Sequence, residues 1–119
     1  MSTNNNREPK TALVTGASRG IGAAIAKRLA KEGFQIIVNY AGRVDDAQKT
    51  VEEIKAVGGN AVAIQADISD PAQVAALFDQ AVTLFGGIDV LVNNAGIIQP
   101  GLTMLADTED ARVDRLIAV

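Results

Sequence analysis

The chain has 119 residues, 48% of them apolar, no Cys, no His and a formal net charge of −3. That length allows one domain with a real core, and the missing Cys and His exclude a disulfide framework, a thiol nucleophile and thiolate or imidazole metal sites. Residues 1–55 carry +3 and residues 56–119 carry −6, which suits a phosphorylated ligand in the first half but lacks the clustered basic residues and stacking aromatics of a nucleic-acid surface.

Residues 1–9 are polar and read as a flexible tail with no signal-peptide core. No apolar run approaches the ~20 residues of a membrane span, so a cytoplasmic protein without a membrane partner is expected. Thr11–Thr15 is a short apolar run ending at Gly16 and reads as a buried strand. Ile21–Glu32 follows as a helix with Ile21, Ala24, Ile25, Ala26 and Leu29 at helical spacing and Gly33 as its stop. Gln35–Tyr40 is the second strand. Val44–Val57 is the second helix, with Val44, Ala47, Val51 and Ile54 on one face and Gly58-Gly59 behind it. Asn60–Ala66 is the third strand. Asp70, Pro71 and Gln73 form an N-cap, N1 proline and capping-box-like pair. They open a helix striped by Val74, Leu77, Phe78, Ala81, Val82 and Phe85, which Gly86-Gly87 stop. Ile88–Val92 is the fourth strand, and Pro100-Gly101 breaks the loop after it. A last helix is expected from about Thr108 through Val119, with Glu109 and Asp110 in its first turn.

Alternating strands and helices imply an α/β fold with a parallel sheet covered on both faces. Right-handed crossovers make it doubly wound and Rossmann-type, with four strands in the order 3-2-1-4. No linker, repeat or low-complexity segment divides residues 10–119 into two domains.

Between the first strand and first helix lies Thr15-Gly16-Ala17-Ser18-Arg19-Gly20-Ile21-Gly22. A helix N-terminus offers unpaired N–H groups and a positive dipole end to an anion. Glycines there let the backbone turn tightly and approach phosphates without a Cβ. The spacing is G-x-x-x-G-x-G rather than the G-x-G-x-x-G dinucleotide fingerprint, and no Lys-Ser/Thr follows to make a Walker A loop. The glycine turn, Asn93-Asn94-Ala95-Gly96 after the fourth strand and Asp67-Ile68 after the third together resemble the short-chain dehydrogenase/reductase family. The flavour is nearest to 3-oxoacyl-acyl-carrier-protein reductases. The resemblance covers nearly all of residues 10–119.

The resemblance implies that Gly16, Ser18, Arg19, Gly20, Ile21 and Gly22 hold a dinucleotide pyrophosphate. Asp67 and Ile68 would contact adenine, and Asn93, Asn94, Ala95 and Gly96 would line the adenosine side and brace the sheet centre. Asp67 has a second reading, as a cap for the following turn, and Asn93 a purely structural one. An NAD site wants an acid after the second strand to bind the ribose 2′-OH. Here that stretch is Asn39-Tyr40-Ala41-Gly42-Arg43, with Asp45 the first acid. Arg19 and then Arg43 suit a 2′-phosphate, so NADP(H) is expected over NAD(H), with Tyr40 beside it. A methyltransferase-like nucleotide binder would also want that acid and fits poorly.

Family chemistry uses a Tyr with a Lys four residues on, assisted by Ser and Asn. The only Tyr is Tyr40, followed four residues later by Val44, and after Asn94 there is no Asn, Ser, Tyr or Lys. No residue is given a catalytic role and none a metal. The sequence lacks a stop signal for the last helix, so the chain reads as cut inside it. The fourth strand would then be an apolar edge, and Val113, Leu116 and Ile117 an exposed helix face, both favouring self-association. The two readings are the NADP(H)-binding part of an oxidoreductase and, as the alternative, a non-catalytic nucleotide-binding or interaction module.

Overall fold

A computed structural model describes residues 9–94 and 114–118. Residues 1–8, Ala95, Gly96, the Pro100-Gly101 break and the expected helix start near Thr108 lie outside the described residues. The elements in chain order are β1 (Thr11–Val14), α1 (Gly20–Lys31), β2 (Gln35–Tyr40), α2 (Val44–Ala56), β3 (Ala61–Gln65), α3 (Pro71–Phe85), β4 (Val90–Asn93) and β5 (Arg115–Ala118).

The strands form one parallel sheet in the order β3-β2-β1-β4-β5. Side chains alternate across a strand, and each central strand feeds two cores. Leu13, Ile37 and Leu91 face α3, where they meet Val74, Leu77, Phe78 and Ala81. Ala12, Val14, Ile36, Val38, Val90 and Val92 face the other way, toward Ala26 of α1 and Ala47, Val51 and Ile54 of α2. Burial on both faces is why these strands are uninterrupted apolar runs rather than alternating ones. The order 3-2-1-4 read from the sequence stands, with β5 added beyond β4.

Local signals account for the helix ends. The Asp70 Oδ1 accepts from the Ala72 N–H at 3.0 Å, and Pro71 starts α3. Gln73 donates to Asp70 Oδ2, but its Oε1 accepts from the Asp67 N–H rather than from the N-cap amide of a standard capping box. The Asp70 N–H is already taken by the Asp67 carbonyl. α1 closes with the Gly33 N–H on the Ala30 carbonyl and the Phe34 N–H on the Leu29 carbonyl. That is the Schellman pattern, and α2 repeats it through Gly58 and Gly59.

Three expectations are corrected. Residues 115–118 form a strand, not the tail of a helix, and β4 is therefore paired on both sides rather than an edge. A short apolar run has no distinguishing period; pairing with β4 satisfies that strand's outward backbone groups and sets Ile117 beside Val92. Ile21 and Val44 do not belong to apolar helix faces, being 66% and 55% exposed in the first turns of α1 and α2. The buried positions at the start of α1 are Gly22 and Ala23. Among the described residues, no helix is long and apolar enough to cross a membrane.

Candidate functional site

The chain runs from β1 to β2 to β3 in one direction, then returns to β4 on the other side of β1. Ligands of open α/β sheets bind at such a reversal, beyond the carboxyl ends of the strands. The residues there are the glycine turn after β1 and Asn93-Asn94 at the end of β4.

Side chains lock these two segments together. The Thr15 N–H donates to the Val92 carbonyl, and its hydroxyl donates to Asn93 Oδ1 at 3.1 Å while accepting the Asn94 N–H at 2.9 Å. Asn94 Nδ2 donates to the Gly16 carbonyl at 3.2 Å. The first turn of α1 packs onto the same spot. A Cβ on Gly22 would overlap the Gly16 carbonyl oxygen and lie 2.5 Å from Asn94 Nδ2. Gly22 is thus required by close approach, whereas Gly20 has open space around it and a left-handed φ of +64°.

The start of α1 is left open. Its N-cap, Arg19, is extended, makes no side-chain capping bond, and is followed by no acidic residue in the first turn. Among the described residues, the leading N–H groups and the helix dipole are therefore not answered by carboxylates, and an anion can take that place. The start of α2 differs. Its N-cap is also an arginine without a capping bond, Arg43, but Asp45 and Asp46 occupy the first turn. Arg43 Nη1 lies 3.7 Å from Asp46 Oδ2. Among the described residues Arg19 forms no ion pair and is exposed. Ser18 is half-buried in the turn, and Tyr40 is half-buried against the α1–α2 core.

Asp67 is exposed just past β3. Its Oδ1 accepts from the Ser69 hydroxyl at 2.6 Å and the Ser69 N–H at 2.9 Å. These two bonds hold its carboxyl below the ordinary 3.8. The turn-capping arrangement is therefore present, and among the described residues Oδ2 makes no hydrogen bond. Ile68 points into the α3 core, 8% exposed. Asn93 is buried and serves the β1–β4 lock.

Sequence reasoning missed four residues that shape this site: Thr15, Asn39, Thr50 and Gln65. Asn39 Nδ2 donates to the Ile64 and Ala66 carbonyls, and its own carbonyl accepts from Ala17 N–H. Gln65 Nε2 donates to the Ala41 carbonyl at 2.8 Å, pinning the loop that leads to Arg43. The available signal was a polar residue at a core position: Asn39 ends an apolar strand, and Thr50 falls at helical spacing between Ala47 and Ile54.

Comparison with known proteins agrees with this architecture. Residues 10–119 match the family described as short chain dehydrogenase. The 3-oxoacyl-[acyl-carrier-protein] reductase FabG of Staphylococcus aureus is 55% identical over 95 residues, 80% of this chain and 39% of the reductase. Elsinochrome reductase 1 of Elsinoe fawcettii is 48% identical over 110 residues, 92% of this chain and 40% of the reductase. The chain thus spans about two-fifths of the length of these curated relatives. A short chain dehydrogenase from Burkholderia cenocepacia, solved in complex with NADP, superposes with a TM-score of 0.70 at 53% identity, covering 76% of this chain and 37% of its own. A dehydrogenase/reductase from Sinorhizobium meliloti gives a TM-score of 0.72 at 52% identity, covering 75% of this chain and 35% of its own. With half the paired residues identical and the doubly wound order shared, this chain belongs to the short chain dehydrogenase family.

Proposed function

We propose that this chain carries the NADP(H)-binding part of a short-chain dehydrogenase/reductase oxidoreductase. The observation that carries the reading is the start of α1: an uncapped helix N-terminus with no acid in its first turn, seated on a turn where Gly22 meets the Gly16 carbonyl and Asn94. A pyrophosphate would find unpaired N–H groups, a positive dipole end and no Cβ in its way. Ser18, Gly20 and Ile21 would surround it. Ala95 and Gly96, by family resemblance, would line the adenosine side with Asn94. Asp67 Oδ2 would accept from an adenine amino group.

The preference for NADP(H) over NAD(H) rests on Arg19 and on the stretch from Tyr40 to Val44, which contains no acid. Arg19, free of ion pairs among the described residues, would meet a 2′-phosphate, and Arg43 is second because Asp46 stands beside it. The NADP complex of the Burkholderia cenocepacia relative supports the same cofactor. When bound, the nicotinamide supplies or accepts the hydride. No residue of this chain is assigned a catalytic role, since Tyr40 lies at the cofactor end of β2 and no Asn, Ser, Tyr or Lys follows Asn94. A second reading, a dinucleotide-binding module without chemistry of its own, shares the same glycine turn. Oxidation of NADPH in the presence of carbonyl compounds, measured on the purified chain, separates the two.

Titration with NADPH and NADH, followed by cofactor fluorescence, tests the binding reading. NADPH is expected to bind at least about tenfold tighter, a difference of about 1.4 kcal/mol. Arg19→Ala should bring the two affinities together. Tighter NADH binding would overturn the 2′-phosphate assignment, and binding of neither would overturn the reading as a whole.

A further inference from the structure

Thr50 sits in the middle of α2, 3% exposed, and its hydroxyl reaches two carbonyl oxygens. One is Asp46, four residues back at 3.2 Å; the other is Ser18 in the glycine turn, at 3.1 Å. A hydroxyl has a single proton to give. The bond to Asp46 is the ordinary back-bond of a helical threonine. The bond to Ser18 crosses 32 positions of sequence and joins α2 to the turn.

This contact has a directional consequence. In a trans peptide the carbonyl and the following N–H lie in one plane and point in opposite directions. With the Ser18 carbonyl held toward α2, the Arg19 N–H points away from α2. α2 packs on β2, β3 and α1, so the bond joins the turn to the layer that covers this face of the sheet. Arg19 is the N-cap of α1 and Arg43 the N-cap of α2. The Thr50 bond therefore also ties together the two helices that each begin with an arginine.

We infer that Thr50 is a positioning residue for the glycine turn: its hydroxyl fixes the Ser18–Arg19 peptide plane and so the turn's grip on a dinucleotide. The second half of this inference rests on the cofactor reading above. The first half concerns the ligand-free turn and stands apart from it.

The test uses the whole chain and three variants. Thr50→Val keeps the shape and removes the proton; Thr50→Ser keeps the proton and removes a methyl. Val74→Ala, in the α3 core far from the turn, provides loss of stability alone. Amide hydrogen exchange without ligand is read at Ala17 and Ala23, whose N–H groups bond the Asn39 and Arg19 carbonyls. Thr50→Val should speed exchange at both by about tenfold and weaken NADPH by about tenfold, and Thr50→Ser should restore both. Val74→Ala should lower the melting temperature and leave NADPH affinity unchanged. If Thr50→Val melts lower but keeps wild-type exchange at the turn and wild-type NADPH affinity, Thr50 is only a packing residue and the inference is wrong. If the wild-type chain binds neither dinucleotide, the cofactor reading fails, while the exchange arm still decides whether Thr50 holds the turn.

Discussion

A methyl group on Gly22 would fall on the Gly16 carbonyl and on Asn94 Nδ2, whereas one on Gly20 would meet nothing. The two substitutions therefore fail for different reasons. Gly22→Ala forces backbone apart in a packed junction, and overpacking of this kind costs about 2 kcal/mol. Gly20→Ala leaves packing alone and places an L-residue at φ +64°, a strain of about 1 kcal/mol. Urea unfolding should rank Gly22→Ala below Gly20→Ala in stability; the reverse order would contradict the close approach. Both positions were visible in the sequence as part of one glycine-rich turn. Which of them needs space and which needs backbone freedom was not, because that distinction depends on Asn94, 72 positions after Gly22. Asp67 shows the same limit. Its place after β3 was legible, and its alternative role as a turn cap was foreseen. That one carboxylate oxygen takes both Ser69 donors while the other makes no bond among the described residues is a matter of local geometry.

At the level of elements, α3 is specified by its own first turn. Asp70 answers the Ala72 N–H and receives Gln73, and Pro71 occupies a position whose N–H would be unpaired in any case. Asp70→Ala should destabilise the chain by about 1 kcal/mol and Asp70→Asn by much less, read as a shift in the urea midpoint at constant slope. An equal loss from both would mean that the charge rather than the cap is at work. α1 and α2 carry no such side-chain cap, and each starts with an arginine instead. The extents of α1, α2 and α3 came within a residue or so of expectation because glycines and the Asp-Pro pair punctuate the chain, whereas Arg115–Ala118, expected in a last helix, is a strand. The apolar stripes were less accurate. Ile21 and Val44 have helical spacing yet lie in the first turns of α1 and α2 and are exposed.

For the molecule as a whole, the outer strand of the sheet matters most. Among the described residues β5, not β4, ends the order, and Ile117 on it is 39% exposed beside Val92. Unpaired strand edges with apolar residues invite pairing with another chain. Self-association is therefore expected, with sedimentation velocity showing larger species as concentration rises. Ile117→Lys should shift the distribution toward monomer, since a charge on an edge strand blocks such pairing. A wild-type chain that stays monomeric throughout would rule this out. The sequence by itself determined the α/β alternation, the order 3-2-1-4, the family and the position of the glycine turn, because these depend on apolar runs, glycine stops, caps and short motifs together with the fixed hand of crossovers. Tertiary structure alone decided that Arg115–Ala118 pairs as a strand, that Ile68 belongs to a core, and that Thr15, Asn39 and Thr50 brace the site. Each of those outcomes depends on a partner many residues away, and hydrogen bonds or packing across such distances leave no period in the local sequence.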